Sequence, residues 1–546
     1  MARFLAVLLT LSLSHATTVS LFAAPPVREP AAVAYLSSLD ELLGDVSYVL
    51  ETGGQPELLP VVTGFLANLN DLKGIDRTRP VGVYLYVPVD FSGSNKQPDI
   101  VGFVSVTSIE DLKQTAHLSN QISLVDGKAA NRYELTTPEK TLQIRIEDGV
   151  AFIAEKAELL EAAPIAPSVL TAPLAGKYDL VVQLRREGVP KLLWDVAVIG
   201  AASQLDQHLR DLKAKSDPKS AARHQALSVA RKIAVTTLDE VRSIWFGLNI
   251  SRESRTLSWD VKFETVSSGK VAQALAKMVP PAAALTESAT RDLPASLHLA
   301  VDLPEQIRTA IVSNLRVGRS EDTHLANVPE PQRTSLNTLL DGLTKTLESG
   351  RLELLLQFTG ESQTGMSVVG GLHVADGAAM GTAINTLLPT AEESDKVESV
   401  TLNAGKARGV SFARINGQGE GSREAQFYGG QPSLYIGAEP STIWFLIGNE
   451  SAVQSFADLP SEPQATRTSA PALGQFHLHM ADWLGILGAS ADNKTQQFTE
   501  AARLAIKDPE RDGIHVLLLP EDNGLRLSVT LDEAFLTLIG SRIGKD

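Results

Sequence analysis

The sequence predicts an α+β fold of two similar tandem halves, each a mainly antiparallel sheet with helices packed on one face. The first observation is a faint internal repeat. Val101-Gly102-Phe103-Val104-Ser105-Val106 lines up with Val369-Gly370-Gly371-Leu372-His373-Val374, and Leu257-Ser258-Trp259-Asp260-Val261-Lys262-Phe263 lines up with Leu525-Arg526-Leu527-Ser528-Val529-Thr530-Leu531, both at an offset of 268 residues. Two matches at one displacement point to a duplicated unit. The second is period-two alternation of apolar and polar residues, the pattern of a strand with two unlike faces. The third is the set of tight turn signals, Asp148-Gly149 and Asn523-Gly524 among them, that join such runs as hairpins.

At 546 residues the chain is too long for one ordinary core. A hydrophobic content of 43% with 21% charged residues places it among globular proteins. Residues 1–24 read as an export signal. Arg3 provides the basic start, Phe4 to Leu13 the apolar run, and cleavage is expected near Ala16 or Ala23. No later segment has the length of a membrane span. Cysteine is absent, so neither disulfides nor a lipid-carrying cysteine are available. These features together point to a periplasmic or extracellular protein of a bacterial envelope. The formal charge of −15 favours solubility and argues against general nucleic-acid binding.

Taken in order, the elements of each half read as strand-helix, hairpin-helix, hairpin-helix, strand-helix and hairpin-helix. The strand-helix units begin at Ala32, Leu180, Leu297 and Phe476. One kind of hairpin starts near Val81, Ile244, Leu352 and Ile514. Another runs from Leu142 through Asp148-Gly149 to Ala154, with a counterpart at Leu434 to Ile447. In Leu257, Trp259, Val261 and Phe263, alternating with Ser258, Asp260, Lys262 and Glu264, the period predicts an antiparallel strand whose polar face meets water. The first repeat is therefore assigned to 30–279, a linker to 280–293 and the second repeat to 294–546. Pro460 to Pro471 reads as an internal loop.

Four of these segments resemble a group of uncharacterised exported bacterial proteins: Pro30-Ala31-Ala32-Val33-Ala34-Tyr35-Leu36, Val101 to Val106, Gly149 to Ala154 and Asp179 to Leu184. The resemblance covers most of the mature chain and implies export and the repeated α+β layout. It carries no activity and transfers no site.

Few residues suggest chemistry. His477-Leu478-His479 places two imidazoles on one face of a strand, and with Asp482 nearby it is the candidate metal-ligand set. His373 is a further ligand only if the fold brings its strand alongside. No Gly-x-Ser-x-Gly elbow accompanies the serines, and Gly417 to Gly421 lacks the spacing of a phosphate-cradling loop. No catalytic or cofactor-binding residue is therefore assigned. Between Gln207 and Lys232 a basic island holds Arg210, Lys213, Lys215, Lys219, Arg223, Arg231 and Lys232, which suits an anionic surface or a solvated helix. The expected function is a non-enzymatic binding or scaffold protein of the envelope. The alternatives are a carrier of lipid or another hydrophobic ligand and, third, a metal-dependent hydrolase.

Overall fold

The structure is a computed structural model. It describes residues 28–541 apart from 69, 88–97, 119–121, 162–163, 215–217, 279–284, 286–292, 322–327, 362–364, 418–424, 426, 460–471 and 489–492. The export signal, most of the 280–293 linker, Lys215, most of the Gly417 to Gly421 loop and the Pro460 to Pro471 loop lie outside the described residues.

In chain order the first strands and helices are β1 (Ala32–Leu36), α1 (Leu39–Thr52), α2 (Leu59–Asn68), β2 (Val81–Tyr86), β3 (Asp99–Ser105), α3 (Ile109–Leu118), β4 (Ser123–Asp126), β5 (Arg132–Thr136), β6 (Thr141–Glu147), β7 (Val150–Ala154), α4 (Pro167–Thr171) and β8 (Leu180–Arg185). Next come α5 (Lys191–Lys213), α6 (Pro218–Glu240), β9 (Val241–Ser251), β10 (Thr256–Thr265), α7 (Lys270–Lys277), β11 (Ala295–Asp302), α8 (Glu305–Glu321), α9 (Glu330–Ser349), β12 (Arg351–Glu361) and β13 (Gly365–His373). The chain continues through α10 (Gly377–Leu387), β14 (Val397–Ala407), β15 (Val410–Gly417), β16 (Ser433–Glu439), β17 (Thr442–Gly448), α11 (Ala452–Ala457), β18 (Gly474–His479), α12 (Met480–Gly488), α13 (Asn493–Ala505), β19 (Gly513–Glu521), β20 (Gly524–Asp532) and α14 (Glu533–Gly540). The α+β class and the antiparallel pairing read from the sequence are what the structure shows.

The chain forms two compact units. One holds the residues up to Ser47, Pro56–Asp195 and Trp245–Asn249; the other holds Tyr48–Gln55, Val196–Ile244 and Ile250–Asp546. In the first unit the strands pair antiparallel in the order β8-β1-β2-β3-β7-β6-β5-β4. One turn needs backbone freedom. Asp148 and Gly149, at φ 49° and 74°, are the two central residues between Glu147 and Val150, and positive φ at both gives the twist a two-residue hairpin demands. The core of this unit is aromatic. Tyr35, Tyr84, Tyr86, Phe103 and Phe152 project from one face of the sheet and pack with Val33, Val101, Val181 and Trp245. A second cluster joins Leu124, Ile144 and Ala151 to Ile109, Leu112 and Ala116 of α3.

The second unit pairs its strands in the order β10-β20-β19-β18-β11-β12-β13-β17-β16-β15-β14. Its core stacks Phe456 of α11 edge-on against Phe412 and Trp444, with Leu355, Val369, Tyr435 and Leu446 around them. Gly371 permits this packing, because a Cβ there would sit 2.6 Å from the Trp444 ring. On the opposite face α10 approaches Ala438, where only Gly381 leaves room.

Candidate functional site

The expected polar-out strand is reversed in the structure. On β10, Asp260 is 6% exposed while its neighbour Val261 is 37% exposed, and Leu527, directly across from Val261 on β20, is 39% exposed. Charge pairing makes this arrangement affordable. Arg526 donates to Asp260 at 3.1 Å, Lys262 lies 2.8 Å from Glu264 and 3.5 Å from Glu521, and Arg526 reaches Glu521 at 2.8 Å. Each buried charge keeps an opposite partner, which limits the desolvation cost.

Polar residues also enter the buried face on β12, β11, β18 and β13. Along β12 the fully buried positions are Glu353, Leu355, Gln357 and Thr359, and the half-buried ones between them are Leu352, Leu354, Leu356 and Phe358. His298 on β11, His477 on β18 and Ser367 on β13 are also buried on the polar-bearing face. The other face continues strand to strand through register partners. Leu356 lies opposite Leu297, Leu297 opposite Phe476, Phe476 opposite Val516 and Val516 opposite Val529. In the other direction Leu356 pairs with Gly370 and Gly370 with Phe445, whose ring lies where a Cβ would project. Among these positions only apolar side chains and glycine occur, and Leu297, Phe476, Val516 and Phe445 are half-buried.

The first unit has a comparable face. Ala34, Val83 and Ile153 are half-buried, and Val182 and Leu184 on the flanking strand β8 are exposed. Its opposite face is the aromatic core, so strands β1, β2 and β3 are apolar on both sides. Strands of that composition belong to sheets covered on both faces.

The buried polar face holds the titratable groups. The carboxylate of Glu353 accepts the Leu285 N–H at 2.5 Å and Arg351 Nη2 at 2.7 Å, and His298 Nε2 stands 3.6 Å away. Burial pushes its pKa up, but the nearby His298 ring, the hydrogen bonds from Leu285 and Arg351 and the arginine charge outweigh this and hold it at about 2. His373 lies near the same charges. Burial first, then Arg351, lowers its pKa below the ordinary imidazole value.

The candidate metal ligands are brought together only in part. The rings of His477 and His479 lie 4.4 Å apart between centroids, and the ring of His515 lies 4.3 Å from that of His477. His373 stands on β13, with β11 and β12 between it and β18. Asp482 is in the first turn of α12, and the carboxylate that meets His479 is Asp512, with Oδ1 2.7 Å from Nδ1. Sequence reading missed His515 and Asp512. Their only local signal was a histidine on the strand that pairs with the His-x-His strand. Among the described residues no group of three or more histidine, aspartate or glutamate side chains stands arranged to hold a metal ion.

The basic island is divided. Arg210 and Lys213 are exposed at the end of α5, Arg223 and Lys232 are exposed on α6, and Arg231 is paired with Asp206. No described helix is long and apolar enough to cross a membrane.

No protein-family model matches the chain, and no curated protein matches it. Among solved structures it is similar to crystal form IV of TP0453, at 8% identity over 44% of this chain and 81% of that one. The TM-score is 0.22, too low for the likeness to bear on fold or function.

Proposed function

We propose that the chain is an exported, non-enzymatic binding protein of the bacterial envelope whose ligand is an apolar chain, such as a lipid acyl group, held on the half-covered sheet faces. One observation carries the reading: one face of the sheet accepts Glu353, Gln357, Thr359, His298 and His477 at buried positions, while the other, from Val529 through Val516, Phe476, Leu297 and Leu356 to Gly370 and Phe445, is apolar at every register partner and half-buried over much of its length. Leaving such a surface to water forfeits about 25 cal/mol for each Å² that a ligand would cover. Contiguous exposed apolar area of this kind marks a binding surface. The lack of hydrogen-bonding side chains on the face suits an aliphatic chain better than a polar solute or a peptide, whose backbone groups would need partners. Contact with an anionic surface through the exposed Arg210, Lys213, Arg223 and Lys232 fits the same reading as a weaker, salt-screened supplement.

The test is organic extraction of the purified protein followed by mass spectrometry. Lipid retained in near-stoichiometric amount is expected, and Leu356→Asp is expected to lower it several-fold. Protein that carries no lipid, and takes up none from vesicles, would sink the reading.

A further inference from the structure

We propose that helix α5 docks on the surface of an anionic lipid bilayer, with the apolar side chains of its first half entering the interface and its basic end resting against the headgroups. The inference takes up the basic contact named above and commits it to one partner. It uses none of the sheet residues assigned to the apolar ligand.

The starting point is that α5 carries two apolar stripes where a helix on a globular surface needs one. The inner stripe is Val198, Ala202, Leu205 and Leu209. Val198 and Ala202 are buried and the two leucines are half-buried. The outer stripe runs Leu192, Val196, Ile199, Ser203, Gln207 and Arg210, at helical spacing on another side. Leu192 is 73% exposed, Val196 57% and Ile199 66%, and Ala197 and Gly200 beside them are exposed as well. Further along, the stripe turns polar and ends on a cation. Contiguous apolar side chains left in water mark a contact surface.

Charge selects the partner. The chain carries a net −15, yet two of the three acids of α5 are engaged within the protein. Lys191 Nζ lies 2.6 Å from Asp195, and Arg231 Nη2 donates to Asp206 at 3.0 Å. Arg210 and Lys213 in the last turn therefore stand against Asp211, and Arg223 and Lys232 are exposed on the next helix. Aliphatic residues toward one end and cations toward the other suit a bilayer whose headgroups are negative. With charges at Asp195, Asp206, Arg210, Asp211 and Lys213 the helix does not span that bilayer and lies in the plane of its interface. A second copy of the chain suits the patch less well, because a stable interface covers about 800 Å² on each partner, far more than three aliphatic side chains present.

The experiment is co-sedimentation of the full chain with vesicles of phosphatidylethanolamine and phosphatidylglycerol, and with neutral vesicles of phosphatidylcholine. Binding to the anionic vesicles is expected. Ile199→Asp and Val196→Asp should each weaken it by about tenfold or more, and Arg210→Gln with Lys213→Gln, or high salt, should weaken it several-fold. Both aspartate variants replace exposed side chains, so circular dichroism should show the fold unchanged. Should one fail to fold, Ile199→Cys decides. The chain has no other cysteine, so an environment-sensitive fluorophore there reports α5 alone and should shift to shorter wavelength when anionic vesicles are added. Lipid extracted from the purified variants should match the wild type, which separates loss of docking from loss of the bound apolar ligand. No co-sedimentation, equal binding to neutral vesicles, binding unchanged in Ile199→Asp, or a dimer in solution that Ile199→Asp dissociates would overturn the proposal.

Discussion

Glu353 has no exposed surface, yet three neighbours keep it ionised, so it links folding to pH. Its folded pKa of about 2 lies below the ordinary carboxylate value of 4.5, so its contribution is present above about pH 4.5 and is lost as pH falls toward 2. A depression of that size corresponds to about 3 kcal/mol. Urea titrations at stepwise lower pH should show this loss, and Glu353→Ala should abolish that part of the pH dependence while costing about 3–5 kcal/mol at neutral pH. Glycines separate equally well. A Cβ on Gly82 would fall 2.2 Å from the Ala34 carbonyl oxygen, a backbone atom that cannot yield, whereas on Gly102 its nearest neighbour would be Ile153 at 3.7 Å. Gly82→Ala should therefore lower stability by about 1–3 kcal/mol by denaturant midpoint, and Gly102→Ala should be tolerated.

Elements were legible where period and turn agreed. β10 and β20 stand where Leu257 to Phe263 and Leu525 to Leu531 alternate, and the Asp148-Gly149 turn is at its expected place. The turn at the end of β19 is one residue earlier than expected, because Glu521 pairs with Gly524 and leaves Asp522 and Asn523 as the loop. β4 and β5 gave little signal, being four and five residues long and mostly half-exposed. Their place in the sheet comes from pairing with one another and with β6. The period of a strand does not say which of its faces is buried, and β12 shows the consequence, with Leu352, Leu354 and Leu356 on the more exposed side and Glu353 and Gln357 on the buried one. A charge placed there probes the binding face. Leu527→Asp, at a position already 39% exposed, should cost stability little yet reduce lipid loading, as read by the mass of native protein and by thermal melt side by side.

Across the whole molecule the strand orders invite comparison. The run β8-β1-β2-β3-β7-β6-β5-β4 and the run β18-β11-β12-β13-β17-β16-β15-β14 are the same order with each label raised by ten. We propose that this order records a duplication of one ancestral unit, with the repeats at 30–279 and 294–546. The pairing of β10 with β20 supports it, since Asp260 lies opposite Ser528, the residue 268 positions on. A strand that meets its own counterpart antiparallel about an equivalent pair has the register a two-fold axis produces. In a chain without cysteine, Asp260→Cys with Ser528→Cys should form a disulfide on mild oxidation, detected by a mobility shift that reductant reverses. A pair that stays reduced would argue against this register.

By itself the sequence determined what is local: the α+β class, the hairpins, the alternating strands and a recurring pattern, because side-chain period and turn conformation depend on neighbours a few residues apart. Only the tertiary structure decided which face of each strand is buried, that His515 stands beside His477 while His373 lies three strands away, and that Glu353 is buried among hydrogen-bond donors. These depend on strand order and register, which join residues tens to hundreds of positions apart and leave no periodic trace in the chain.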